Sequence, residues 1–250
     1  MTNKKTVLIT GGSRGIGAAT AKKFAAQDYL VCINYKENES AAMAVVDEIN
    51  ASGGQALALK ADVSIETEVV EMFRQVDTHL GHLDVLVNNV GILRQQSRLT
   101  ELDAERINHI LTTNVTSFFL CCREAVKRMS TKRGGLGGTI VNVSSGAAKT
   151  GSPNEYIDYA ASKGAVDTLT RGLATEVAAE GIRVNGVRPG LIYTDMHADG
   201  GEPERVDRLK TNLPLKRGGT PEEVADAIYF LASNQSSFTT GHNLDVSGGL

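Results

Sequence analysis

Short apolar runs rich in β-branched residues recur along the chain at Thr6–Thr10, Leu30–Tyr35, Gln55–Leu59, Asp84–Asn89, Gly138–Ser145, Arg183–Val187 and His242–Val246. Each run reads as a strand. Between them lie longer stretches whose apolar residues repeat at helical spacing, such as Ile16-Ala19-Phe24, Val69-Val70-Phe73-Val76 and Leu169-Leu173-Val177. Strands that are apolar on both faces need cover on both faces, and each crossover between parallel strands places a helix there. The alternation therefore predicts an α/β fold. We expect residues 1–250 to form a single doubly wound domain, a seven-stranded, mostly parallel sheet with helices on both faces. No Pro/Ser-rich linker divides the chain, and Arg133–Gly138 reads as a loop before the fifth strand.

Composition narrows the function classes. With 26 Lys and Arg against 29 Asp and Glu, the net charge is −3. That leaves no excess of cations to neutralise a phosphate backbone, so nucleic acid is not an expected partner. No stretch approaches the ~18 apolar residues of a membrane span, and the apolar run behind Lys4 and Lys5 is too short for a secretory signal. Cys32, Cys121 and Cys122 make an odd set with apolar flanks. They read as reduced, buried thiols in a cytoplasmic protein. The five histidines show no metal-ligand spacing, and no metal is expected.

Glycine is the one enriched residue, 26 of 250, and its first cluster is informative. Thr10-Gly11-Gly12-Ser13-Arg14-Gly15-Ile16-Gly17 follows the first strand and enters a helix. The spacing is weak evidence when taken without its context. Between strand and helix it acquires a mechanism: the missing Cβ lets backbone approach a pyrophosphate, and the helix N-terminus attracts negative charge. The end of the second strand, Asn34-Tyr35-Lys36, lacks the carboxylate that would bind a ribose 2′-hydroxyl. Arg14 could pair with a 2′-phosphate instead. These features favour NADP(H), with NAD(H) the alternative should Glu37 or Glu39 reach the ribose.

Tyr159-Ala160-Ala161-Ser162-Lys163 places a phenol and an ammonium on one helical face. A phenol near its usual pKa of about 10 is a poor acid–base at neutral pH, and a fixed cation beside it would lower that value. Ser144 and Ser145, just past an apolar strand, stand where a hydroxyl could hydrogen-bond a carbonyl oxygen.

Together Thr10–Gly17, Asn88-Asn89-Val90-Gly91, Asn114, Ser145, Tyr159/Lys163 and Pro189-Gly190 resemble the short-chain dehydrogenase/reductase family, in this order and across essentially the whole chain. The branch it is similar to holds sugar dehydrogenases and 3-oxoacyl carrier-protein reductases. The resemblance implies a Rossmann fold and hydride transfer between a nicotinamide cofactor and a secondary alcohol or carbonyl. It implies that Tyr159 exchanges the proton, Lys163 lowers the Tyr159 pKa and holds the nicotinamide ribose, Ser145 orients the substrate oxygen, and Asn114 anchors a proton-relay water. For the cofactor it implies Gly11, Ser13, Arg14, Gly15, Ile16 and Gly17 at the phosphates, and Asn34 and Tyr35 at the second strand's end. It further implies Asp62 and Val63 at the adenine, Asn89 to Gly91 at the ribose, and Pro189, Gly190, Ile192 and Thr194 at the carboxamide.

Three positions depart from the family pattern. Val90 stands where alanine is usual, and Ser145 lies 14 residues before Tyr159 where 13 is common, which keeps Ser144 open as an alternative. Glu180 occupies a helix end that is basic in carrier-protein reductases, against an acyl-carrier substrate. The segment 192–213, with Gly200-Gly201 and Pro203, reads as a substrate cover. Leu93, Arg94, Gln96, Ala147, Asn154, Tyr156, Met196 and His197 are candidate pocket residues, a polar mixture suited to a small sugar, polyol or keto compound. The resemblance also implies a homotetramer, built on Asp103–Met129, Ala160–Ala179 and His242–Leu250. A dinucleotide-binding sensor without turnover is the competing class; an intact proton relay argues against it.

Overall fold

The structure, a computed structural model, describes residues 4–250. Among them, seven strands form one sheet: β1 (Thr6–Ile9), β2 (Leu30–Tyr35), β3 (Gln55–Lys60), β4 (Val85–Asn88), β5 (Gly138–Val143), β6 (Ile182–Pro189) and β7 (Asn243–Val246). Their order is β3-β2-β1-β4-β5-β6-β7. Every pair is parallel, including the β6–β7 edge, so the sheet is wholly rather than mostly parallel.

The strand alternation sorts the core into two layers. On one face Val7, Ile9, Val31, Ile33, Val85 and Val87 pack against α1 (Gly15–Ala25), α2 (Glu39–Ala51) and, near the other edge, a C-terminal helix at Pro221–Ala232, through Phe24, Val46, Ile49 and Ile228. On the other face Leu8, Cys32, Leu86 and Ile140 meet α3 (Glu66–Leu80) through Met72, Phe73 and Val76. The same layer is completed by Cys121, Ala125, Ala174 and Val177, which lie on the helices described next. All three cysteines are free and buried.

The stretch 104–129 is not one regular helix. It is divided into α4 (Ala104–Leu111), a single π turn at Thr112–Thr116 and α5 (Ser117–Met129). A long-range contact accompanies it: the buried Asn114 side chain accepts from Ile92 N at 2.8 Å and donates to Ile92 O at 3.1 Å, at the point where the helix leaves its regular register. After β5 come α6 (Ala147–Thr150) and the long α7 (Ile157–Val177). Beyond β6, α8 (Met196–Asp199) and α9 (Arg205–Leu209) occupy the segment 192–213, and α10 is the helix at Pro221–Ala232. Pro221 at its first turn and a reciprocal Thr220/Glu223 capping box start α10. The neighbours of β1 are β2 and β4, so the order of strand addition reverses there, and a crevice opens at the strands' carboxyl ends.

Candidate active site

The first wall of that crevice is the glycine turn. Gly12 N donates to Asn34 O at 2.9 Å and Gly11 N to Asn34 Oδ1 at 3.3 Å, while Asn89 Nδ2 donates to the carbonyls of Thr10 and Gly11, both at 3.0 Å. A Cβ on Gly17 would lie 2.2 Å from Gly11 O, so the turn closes only with glycine there. The next residue after the turn, Arg14, leaves the start of α1 without a side-chain cap, and its first turn holds no acid. Its N–H groups therefore remain available to an anion. This bare, uncapped cradle fits the pyrophosphate of a dinucleotide.

Some expected cofactor residues serve the protein interior instead. Asn34 is 1 % exposed, and its Nδ2 donates to Ala61 O at 2.9 Å, so it props the turn from beneath rather than facing a ribose. Tyr35 is buried in the core for the same reason: it is an inward position of β2. Asp62 Oδ1 accepts from Ser64 N and Oγ, and Asp62 Oδ2 pairs with Lys36 at 3.0 Å. Those contacts hold the carboxyl below its usual range despite its partial burial. Val63 is buried beside it. Arg14 is half exposed and forms a 2.6 Å ion pair with Asp199 of α8, across the mouth of the crevice.

The second wall is α7. Tyr159, Lys163, Ser145, Gly91, Asn89, Ile16, Pro189, Gly190, Ile192 and Thr194 all border one cavity of about 350 Å³. Ser144 and Ser145 separate cleanly. Ser144 is buried and donates to the Lys163 carbonyl at 3.1 Å, whereas the Ser145 hydroxyl accepts from Ala147 N at 3.1 Å and borders the cavity together with the Tyr159 phenol. Burial pushes that phenol up to about 12, with Ser145 pulling it back. The expected depression by Lys163 is not seen. Its ammonium donates to Val143 O at 2.8 Å, lies 5.6 Å from the Tyr159 ring centre, and is itself pushed down to about 8 by burial, against the pull of Asp167.

Asn114 is fully buried behind this pair, and its Nδ2 donates to Ser162 Oγ at 3.1 Å. Ser162 in turn donates to Tyr159 O at 2.6 Å. A Cβ on Gly91 would sit 3.2 Å from Lys163 Nζ, so a larger residue there would press on the ammonium. Two supports escaped the sequence reading. Asp158 accepts from Arg106 Nε at 2.8 Å and from Tyr159 N at 2.9 Å, fixing the start of α7; an acid in a first helical turn was the available signal. Arg205, over the Tyr156 ring at 5.1 Å, borders the cavity as well. Of the candidate pocket residues, Leu93, Ala147, Tyr156, Met196 and His197 border the cavity, but Arg94, Gln96 and Asn154 do not. Arg94 contacts His109, and Gln96 donates to Glu202. Three of the polar candidates therefore lie outside it, while Tyr156 and His197 remain.

Comparison with known proteins agrees with this arrangement. A family described as Enoyl-(Acyl carrier protein) reductase matches residues 11–250. The chain is 60 % identical over 242 residues to an uncharacterized oxidoreductase, YgfF, of Escherichia coli K12, covering 97 % of this chain and 98 % of that protein. It is 37 % identical to the 3-oxoacyl-[acyl-carrier-protein] reductase FabG of Staphylococcus aureus, over 98 % of both chains. A short-chain dehydrogenase/reductase from Serratia marcescens superposes with a TM-score of 0.90 at 34 % identity, covering 98 % of this chain and 97 % of that one. The chain belongs to the short-chain dehydrogenase/reductase family. A dehydrogenase/reductase from Sinorhizobium meliloti superposes equally well, with a TM-score of 0.90 at 34 % identity over 98 % of this chain and 94 % of the other. As a member of the family, the chain is an oxidoreductase acting on CH–OH and C=O groups with a nicotinamide cofactor.

Proposed function

We propose that this short-chain dehydrogenase/reductase is an NADP(H)-dependent enzyme that interconverts a secondary alcohol and a carbonyl, with Tyr159 as the acid–base. The observation that carries this reading is the Tyr159 phenol, which borders one cavity with Ser145, Lys163 and the Pro189–Thr194 segment. A bound nicotinamide supplies or accepts the hydride. The chain's own residues handle the proton and the geometry. In reduction the phenol donates to the carbonyl oxygen; its elevated pKa keeps it protonated until substrate arrives. Ser145 holds that oxygen by a second hydrogen bond, and Lys163 holds the nicotinamide ribose. Asn114, on the π turn, positions the relay behind Lys163.

Arg14 supports NADP(H), standing beside an uncapped helix start with no carboxylate at the end of β2. The segment 192–213 serves as the substrate cover, anchored by Tyr156 Oη donating to Gly200 O at 3.0 Å. A keto compound suits the cavity better than a sugar or polyol, because Arg94, Gln96 and Asn154 lie outside it. The FabG likeness favours a carrier-protein substrate as a second reading. Against it, Glu180 carries negative charge at the end of α7, bonded to Ser130 and 3.5 Å from Lys132. A spectrophotometric screen of NADPH and NADH oxidation with ketones, sugars and 3-oxoacyl thioesters tests the reading. Turnover confined to thioesters would replace it with the second.

A further inference from the structure

Tyr159 is held at both ends of its peptide unit by side chains. At its carbonyl, the Ser162 hydroxyl donates at 2.6 Å. At its amide, Asp158 Oδ1 accepts at 2.9 Å, in the first turn of a helix that begins without a side-chain cap.

The Asp158 side chain is 3 % exposed, and a guanidinium from 52 residues away meets it. Arg106, on α4, donates Nε to Asp158 Oδ2 at 2.8 Å and Nη2 to Oδ1 at 3.5 Å. Its remaining nitrogen, Nη1, donates to the Gln95 carbonyl at 2.8 Å. Gln95 lies in the loop after β4, two residues beyond Leu93, which packs in one cluster with Tyr156 and Tyr159. The Arg106 amide is fixed in turn by Asp103 Oδ1 at 2.8 Å. A planar fork meets such separated acceptors along set directions, which the point charge of a lysine cannot do. A helix start needs only an acceptor for its free amides. The buried ion pair and the tie to Gln95 go beyond that need and fix direction.

We propose that Arg106 and Asp158 are a positioning pair: the fork holds the Tyr159 backbone and the Leu93 loop in one relation and so sets where the phenol stands in the cavity. The proposal rests on Tyr159 as the acid–base and adds the device that places it. Neither residue borders the cavity, so both act through Tyr159.

The test has two readouts. In protein labelled with 3-fluorotyrosine, the fluorine resonance that is absent from Tyr159→Phe reports the phenol with neither cofactor nor substrate present. Arg106→Lys keeps the charge and loses the fork. Asp158→Asn keeps an acceptor for the Tyr159 amide but turns a donor toward Arg106. The double variant Asp158→Asn/Arg106→Met removes both charges together, so that no unpaired ion stays buried should a single variant fail to fold. In each folded variant the Tyr159 line should shift or broaden, whereas Val177→Ala, in the core at the far end of α7, should leave it in place.

The second readout is NADPH oxidation with ethyl acetoacetate, normalised to the number of NADPH-binding sites. Turnover per site should fall about ten- to a hundredfold, the cost of a misplacement on the order of 1 Å, with the Kd for NADPH unchanged. A merely structural role would reduce the number of sites and leave each one at the wild-type rate. An unmoved Tyr159 line in the double variant, or unchanged turnover per site, would overturn the proposal and leave carbonyl reduction standing. Wild-type protein that binds NADPH yet oxidises it with no ketone or 3-oxoacyl compound would overturn the acid–base reading, and the proposal with it.

Discussion

The Asn114 amide donates to the Ser162 hydroxyl at 3.1 Å, and Ser162 passes the contact on to the Tyr159 carbonyl at 2.6 Å. A π turn on one helix is thereby tied to the segment of α7 that lies between the phenol and the ammonium. Ser162→Ala leaves one buried N–H of Asn114 without its acceptor, while the amide keeps its bond to the Ile92 carbonyl. Its expected cost is about 1–3 kcal/mol, read from urea unfolding. A kcat loss larger than that of an equally destabilising core variant such as Val177→Ala would place the defect at the relay rather than in general stability. An unchanged kcat would count against that role for Asn114.

Removing the phenolic oxygen should be far more severe. Tyr159→Phe is expected to lower kcat by about 10²–10⁴-fold, the usual worth of a positioned acid–base, with nicotinamide cofactor still bound in fluorescence titration. Near-wild-type turnover would reassign the proton to another group.

Stability should follow pH through Lys163. Its folded pKa, about 8, lies below the unfolded 10.5, so the unfolded chain binds the extra proton between those values. Stability therefore rises with pH across that window, as the penalty for burying a charged lysine disappears. The full relief is about 3 kcal/mol, taking 1.36 kcal/mol per pKa unit. Above pH 10 the raised Tyr159 works in the opposite direction, since its folded state keeps the proton longer. Denaturant melts from pH 7.5 to 9.5 should show the positive slope in wild type, and Lys163→Met should flatten it.

Cofactor choice should depend on Arg14. Arg14→Ala is expected to lower kcat/KM for NADPH by roughly 10–100-fold, consistent with a charge-assisted hydrogen bond of about 1.5–3 kcal/mol, and to leave NADH nearly untouched. Equal losses with both cofactors would mean that Arg14 supports the turn or the cover rather than a 2′-phosphate.

The homotetramer implied by the family resemblance has a direct check. Phe119 on α5 is 52 % exposed and Leu111 on α4 is 38 % exposed. A Phe119→Glu variant should fall to a smaller species in light scattering while keeping its circular dichroism. A monomeric wild-type chain would reject the assembly.

What the sequence made legible was set by periodicity and by chemistry with fixed spacing. The seven strands were readable because β-branched runs buried on two faces have few alternatives, and β2 falls at the expected Leu30–Tyr35. Tyr159, Lys163 and the glycine turn were readable because each is a local pattern. Asn34 was misplaced because strand-end position does not tell which way a side chain faces, and an inward amide can brace a turn as readily as an outward one can meet a ribose. The π turn was invisible since the contact that accompanies it is with Ile92, which is 22 residues away from Asn114 in sequence. The pocket's polarity was misjudged for the same kind of reason: Arg94 and Gln96 find partners on other elements, and only tertiary contacts show it.

The Arg14–Asp199 ion pair joins the residue beside the phosphate turn to a helix that also carries Met196 and His197. On the proposed function, in which Arg14 meets a 2′-phosphate and α8 covers the substrate, cofactor preference and substrate scope are not separate design variables. A library that diversifies α8 to admit bulkier ketones also changes the partner that Arg14 must leave to meet a phosphate. Variants selected for a new substrate with one cofactor should therefore be assayed with both, since a gain in scope can register first as a change in coenzyme economy.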